Sequence, residues 1–230
     1  MSSNRRPEAA APAACIGGLV PFSTVDWPGQ LAAVVFVAGC PWRCHYCHNP
    51  ALQARAGDLV WEDVRALLER RRGLLDGVVF SGGEPLSDAA LPRMVAEART
   101  LGFKVGLHTA GIYPRQLQAM LGHLDWVGLD IKTVPAGYAA LTGRRHSAAP
   151  VWTSLELLLS WGGSFECRTT WSPAWLDEAA LLDLAQTLAD RGVQNYAVQG
   201  YRKAAGPPAD ILGESAQKRL HGLFQNFSWR

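Results

Sequence analysis

The stretch LAAVVFVAGCPWRCHYCHNP, Leu31–Pro50, decides how the rest of the chain is read. Its first half, Leu31–Val37, is an unbroken run of small and β-branched apolar residues, the pattern of a strand covered on both faces in a parallel sheet. Its second half sets Cys40, Cys44 and Cys47 directly after that strand, spaced C-x3-C-x2-C. Thiolates are soft ligands that suit iron–sulfur clusters or zinc. A structural zinc or an electron-transfer cluster takes four protein ligands, and only three cysteines stand here. Either one position is open to a substrate or cofactor, or His45 or His48 completes a zinc knuckle. Spacing alone leaves both readings standing.

Outward from this stretch, short apolar runs alternate with helical patterns. Strands are predicted at Leu31–Val37, Val78–Phe80, Lys104–Leu107, Trp126–Ile131, Ser164–Trp171 and Asn195–Gln199. Helices are predicted at Trp61–Arg71, Asp88–Leu101, Tyr113–Leu121, Val151–Ser160 and Asp177–Arg191, with start signals at Ser87/Asp88 and Asp177-Glu178. Strand–helix alternation implies βαβ units and a parallel sheet. Six such units predict an α/β fold, a partial (β/α)6 barrel of the TIM type. Residues 1–15, rich in Ala and Pro, read as a flexible tail ahead of a single domain, 16–230. Pro135–Pro150 and Ala204–Gly213 read as long loops.

Composition excludes several classes. Of the 230 residues, 48% are hydrophobic, enough for a core, and only 18% are charged, below the ~25% of average soluble domains. The net charge of +2 is far from the strongly basic footprint of a nucleic-acid binder. No apolar run approaches the ~20 residues of a membrane span. The five cysteines form an odd set, and the first residues lack the apolar core of a secretion signal, which suits a reducing cytoplasm. Arg5 and Arg6, with Glu8 the tail's one acid, leave a transit peptide as the weaker alternative.

Further motifs stand at the ends of later strands. In SGGEP, Gly82 and Gly83 lack the Cβ atoms that would keep a ligand from the backbone, although a plain strand-to-helix turn reads the same way. Asp130 and Lys132, two apart on one strand, share a face, as do Glu166, Arg168 and Thr170 on the next and Asn195, Ala197 and Gln199 on the last. A charged pair inside a parallel sheet is costly unless it is paired or functional. It reads as a rim ion pair or as part of a site.

The cysteine loop after a first barrel strand, with Tyr46 between the second and third cysteines, resembles the radical S-adenosylmethionine (SAM) superfamily. PFSTVDWPGQLAAVVFVAGC upstream, and CHNP, SGGEP, HTAG and GLDIK downstream, resemble the glycyl-radical-enzyme activases. IGGLVPFSTVDWPG is most similar to the activating proteins of anaerobic ribonucleoside-triphosphate reductase. The resemblance, which spans Ile16 to Tyr201, implies a [4Fe–4S] cluster held by Cys40, Cys44 and Cys47. It implies SAM chelating the fourth iron through its amino and carboxylate groups, and reductive cleavage to a 5′-deoxyadenosyl radical. Tyr46, Gly82, Gly83, Glu84, Thr109, Asp130, Lys132, Arg168 and Gln199 are the implied SAM pocket. Glu84 and the glycine backbone would receive the ammonium, and Arg168 would fork the carboxylate. The implied partners are a glycyl-radical enzyme, first the anaerobic ribonucleotide reductase, and a flavodoxin- or ferredoxin-type electron donor, with no nucleic acid and no membrane.

The pattern also departs from that group. His108 stands where the pyruvate formate-lyase activases carry an aspartate of a monovalent-cation site, and no ferredoxin-like insert follows Cys47. Cys15 and Cys167 read as structural, most of the nine tryptophans as core, and His123, His146 and His221 as solvated. Trp27 and Trp42 are expected to flank the open face. With no further domain evident, a protein substrate is expected to close the site; the competing readings are a radical SAM enzyme acting on a small molecule or peptide and, outside the enzymes, a zinc- or cluster-binding interaction module.

Overall fold

The computed structural model describes residues 12–202, 208 and 210–230. Most of the expected tail and of the Ala204–Gly213 loop therefore lies outside the described residues. Eight strands form one sheet in chain order: β1 (Ile16–Ser23), β2 (Ala32–Val37), β3 (Gly77–Gly82), β4 (Lys104–Thr109), β5 (Trp126–Asp130), β6 (Ser164–Trp171), β7 (Asn195–Gly200) and β8 (Asn226–Trp229). β2 to β8 pair in parallel and β1 pairs antiparallel to β2. The six predicted strands are β2 to β7, and the sheet curls as a partial TIM-type barrel. Two strands were missing from the prediction, β1 and β8, one added at each edge.

The helices are α1 (Trp61–Arg70), α2 (Leu91–Thr100), α3 (Pro114–Met120), α4 (Tyr138–Thr142), α5 (Ala148–Trp161), α6 (Glu178–Asp190) and α7 (Glu214–Leu223). Asp177 caps α6, its Oδ1 accepting from the Ala180 N–H at 2.7 Å. Asp88 does different work from the predicted cap. It accepts from Ala90 N–H at 2.8 Å and Cys15 N–H at 3.0 Å, and α2 starts only at Leu91, with Pro92 in its first turn. Pro135–Pro150 is not a loop: it folds as a 3-10 turn (Pro135–Gly137), α4 and the start of α5.

Alternation along the strands divides the interior in two. Ala33, Val35 and Val37 of β2 join Cys167, Tyr196 and Val198 in the main core against the helices. Ala32 and Val34 face the barrel axis with Val79, Trp126 and Trp27. Trp27 comes from the β1–β2 connection and fills one end of the barrel, stacked on Trp126 at 5.7 Å between centroids. Gly77 and Gly106 make room for it, since a Cβ on either would sit 2.8 or 2.9 Å from its ring. Trp27 is thus a plug, not the flank of the open face that was expected.

Candidate active site

The strands' carboxyl ends carry the cavity, of ≈ 240 Å³, as open α/β architectures require. Every residue predicted for the site lines it except Glu84. The cysteine loop reaches it from the end of β2 and is held from two sides. Gly39 and Cys40 donate to Leu52 O and Gln53 O at 2.8 and 3.1 Å, and Arg43 N–H donates to Thr142 O at 2.9 Å. Arg144 Nε adds a bond to Pro41 O at 3.0 Å. The segment read as a loop is therefore a brace for the cysteine loop.

Cys40, Cys44 and Cys47 are all partly exposed and free of disulfides. Burial pushes the Cys40 thiol up to about 11 and raises Cys44 as well, against the pull of the Trp42 backbone and Lys132 respectively. Thiolates here need a metal's charge beside them. Among the described residues no three Cys, His, Asp or Glu side chains converge as one metal ion demands. All three thiols line the one cavity, and they are soft donors of the kind iron–sulfur clusters take.

The motif glycines are required by the chain itself. Gly82 has φ +111°, and a Cβ there would meet Val37 O at 2.5 Å; one on Gly83 would meet Gly39 O at 2.5 Å. The ends of β2 and β3 thus meet backbone to backbone, and both glycines still line the cavity. Glu84 is fully buried behind that wall. Its carboxylate accepts from Thr109 Oγ1 (2.7 Å), Ala110 N–H (2.9 Å) and Leu86 N–H (3.2 Å). Burial lifts its pKa to about 7, against the pull of these three donors. The side chain ties the end of β4 to the turn after β3.

On the opposite wall, Asp130 is the centre of a charge cluster. Arg168 places Nε and Nη2 on its Oδ1 at 3.1 and 2.9 Å, and Lys132 Nζ lies 3.2 Å from Oδ2. Burial alone would raise the Asp130 carboxyl, but Lys132 and Arg168 outweigh it and hold it down to about 2. The rim ion pair and the pocket wall, read as alternatives, are one arrangement. With two cations and one anion it carries a net positive charge into the cavity, the condition for receiving a carboxylate. Arg168's fork is already turned onto Asp130, leaving Nη1 of the guanidinium without a partner among the bonds described.

Tyr46 is buried, stacks on Trp175 at 4.8 Å, and has Lys132 Nζ 5.7 Å from its ring centre. Among the described residues its hydroxyl has no hydrogen-bond partner. His45 and His48 are exposed and pack against Trp175 and Tyr201. His108 lines the cavity too. Its Nε2 lies 2.7 Å from Asp26 O and its Nδ1 3.1 Å from Ser81 Oγ. A carbonyl only accepts, so Nε2 carries the proton and Nδ1 accepts from the serine. Burial, and then the Arg168 charge, drive its pKa down to about 3. A neutral imidazole bonded on both sides thus fills this wall. Asp26 and Ser81 line the cavity and were missed. Asp26 lies ahead of the first parallel strand, where only the TVDWPG likeness pointed. Trp42 lines the cavity as expected, Cys167 is buried in the main core, and His123, His146 and His221 are exposed.

A Methanocaldococcus jannaschii protein, provisionally named a glycyl-radical enzyme activating enzyme, is 28% identical over 225 residues, covering 89% of this chain and 85% of its own. The pyruvate formate-lyase-activating enzyme of Clostridium pasteurianum is 39% identical over 131 residues, 52% of this chain and 53% of its own. A PqqA peptide cyclase of Xanthomonas oryzae is 40% identical over 115 residues, 47% of this chain and 31% of its own. In fold, the crystal structure of QueE from Escherichia coli superposes with a TM-score of 0.55 at 17% identity, over 95% of this chain and 94% of that one. The pattern of the radical SAM superfamily matches residues 34–170, more than half of the sequence. The chain is a member of the radical SAM superfamily, whose enzymes use a [4Fe–4S] cluster and SAM.

Proposed function

We propose that this radical SAM enzyme activates a glycyl-radical enzyme by taking a hydrogen atom from a glycine Cα of that partner. The observation that carries the reading is the M. jannaschii match, which runs through nearly the whole of both chains. The likeness of IGGLVPFSTVDWPG to the activating proteins of anaerobic ribonucleoside-triphosphate reductase makes that reductase the partner of choice. The X. oryzae match favours a second reading, action on a peptide.

The residues fit the cofactors. Cys40, Cys44 and Cys47 would hold the cluster. The Asp130–Lys132–Arg168 group would receive the SAM carboxylate, with Arg168 Nη1 and Lys132 as donors. Gly82 and Gly83 would offer backbone to its ammonium, and Tyr46, Thr109 and Gln199 would line the rest. We assign Glu84 the task of positioning Thr109 rather than touching SAM. When bound, the cofactors supply a one-electron cleavage of the sulfonium and a carbon radical able to abstract hydrogen. His45 and His48 are exposed beside the cysteines, which leaves a short path for an electron from a docked flavodoxin or ferredoxin. Five thiols without a disulfide suit a reducing cytoplasm, and among the described residues no helix is long and apolar enough to cross a membrane.

The test is isotopic. The reductase is prepared with glycine deuterated at Cα and mixed anaerobically with reduced enzyme and SAM. Deuterium should appear in the 5′-deoxyadenosine at one atom per radical formed. Unlabelled 5′-deoxyadenosine beside a radical-free reductase would overturn the reading.

A further inference from the structure

The two strands at the open side of the barrel have unlike edges. β1 carries Pro21, which has no N–H, and its register against β2 breaks between Val20 and Ser23. Both features blunt an edge against further pairing. β8, the segment Asn226–Trp229, has neither. Asn226 N–H and Arg230 N–H bond to Gln194 O and Val198 O at 3.0 and 2.9 Å. By the alternation of a parallel ladder, the N–H and C=O of Phe227 and Trp229 then point to the free edge. Among the described residues β8 pairs with β7 alone.

Two polar atoms of the wall inside this edge lack partners among the described residues. Ser228 Oγ and Glu166 Oε1 are buried with no hydrogen bond, although Arg230 Nη2 reaches the other Glu166 oxygen at 2.7 Å. The edge also leads to the chemistry. Trp229 pairs with Val198, next to Gln199 at the cavity wall.

We propose that the free edge of β8 takes an extended segment of the partner protein as a ninth strand, which carries the target glycine to the mouth of the cavity. The proposal rests on the activase reading above. A glycine segment has no side chain at the reacting position to be gripped, so its main chain is what remains to be recognised, and strand addition recognises main chain. The added strand would lie about 4.8 Å beyond β8. The occupant is a partner rather than a second copy of this chain, because an edge of four residues can register a segment already held at the cavity but is short for a sheet-to-sheet dimer.

The experiment compares Phe227→Pro with Phe227→Ala, using the anaerobic reductase as the probe. Both variants lose the ring that packs on Tyr196 and His221; only the proline also loses the edge N–H. Relative to the alanine variant, the proline variant should bind the reductase about fivefold or more weakly, one hydrogen bond's worth, with partner-free SAM cleavage equal in the two. Amide hydrogen exchange on the wild-type enzyme gives a readout independent of variant folding: Phe227 and Trp229 should exchange freely alone and become protected with the reductase. Equal binding by the two variants, or edge amides already protected in the free enzyme, overturns the ninth strand while leaving the activase reading intact. A wild-type enzyme that neither binds the reductase nor puts a radical on it removes the premise, and the proposal with it.

Discussion

At the scale of single residues, the meeting of Cys40, Cys44 and Cys47 at one cavity could be read from spacing, and the direction of the Glu84 carboxylate could not. Spacing shows which thiols follow a strand, and the structure brings those thiols to one cavity. It does not show which way a carboxylate turns, and Glu84 turns inward to three donors. Replacing any one of Cys40, Cys44 or Cys47 by Ala should abolish cluster absorbance and SAM cleavage, whereas Cys167→Ala should keep both; iron that survives loss of Cys44 but fails without Cys167 would contradict the assignment. Asp130→Asn and Arg168→Ala should each weaken SAM binding about tenfold or more, a charge-assisted contact being ~1.5–3 kcal/mol, with the cluster spectrum unchanged. Calorimetric titration checks it, and wild-type affinity in both would return the cluster to a purely structural ion pair. His108 and Glu84 make opposite predictions for pH. His108 titrates near 3 in the fold against an ordinary 6.5, so the unfolded chain takes up a proton the fold refuses, and stability falls as pH drops through that window. Glu84 titrates near 7 against an ordinary 4.5, so the fold holds a proton longer, and stability falls as pH rises between those values. Urea midpoints across pH should lose the acid-side slope in His108→Gln and the neutral-side slope in Glu84→Gln.

At the scale of elements, β2, β3 and β5 were legible as short, nearly continuous apolar runs, and β4, β6 and β7 because shorter apolar and β-branched stretches alternate with helical patterns. β1 was not, because IGGLVPFS contains two glycines and a proline, residues that depress a strand signal, and it is held by pairing with β2 rather than by propensity. β8 has four residues, too few for a period to show, and α7 buries only Ala216 and Leu220 of a largely polar sequence. The brace Pro135–Pro150 was hidden by its Gly, Ala and Arg content and is ordered by Thr142, fully buried, which accepts from the cysteine loop. The β1–β2 connection is the element whose role only coordinates reveal, since Trp27 fills space left by glycines on the neighbouring strands β3 and β4, far from it in sequence. Trp27→Ala should cost about 3–5 kcal/mol and loosen the Asp26 carbonyl that fixes His108. Denaturant unfolding measures the cost, and a loss below 1 kcal/mol, in the range of surface substitutions, would mean the plug carries little of the packing.

At the scale of the whole molecule, the arrangement is a half-filled barrel. One end is closed by Trp27 and Trp126, the other carries three thiols and a net positive charge cluster, and the side between β1 and β8 is unpaired among the described residues. A reactive radical needs a site from which water is excluded, and a partner seated at that open side would supply the missing wall. Fold and cofactors follow from the family. The most direct test is the electron paramagnetic resonance spectrum of reduced enzyme, SAM and anaerobic ribonucleotide reductase mixed without oxygen. The account predicts a glycyl-radical doublet on the reductase that requires both proteins and disappears with Cys44→Ala. Rapid SAM cleavage with no radical on the reductase would contradict it.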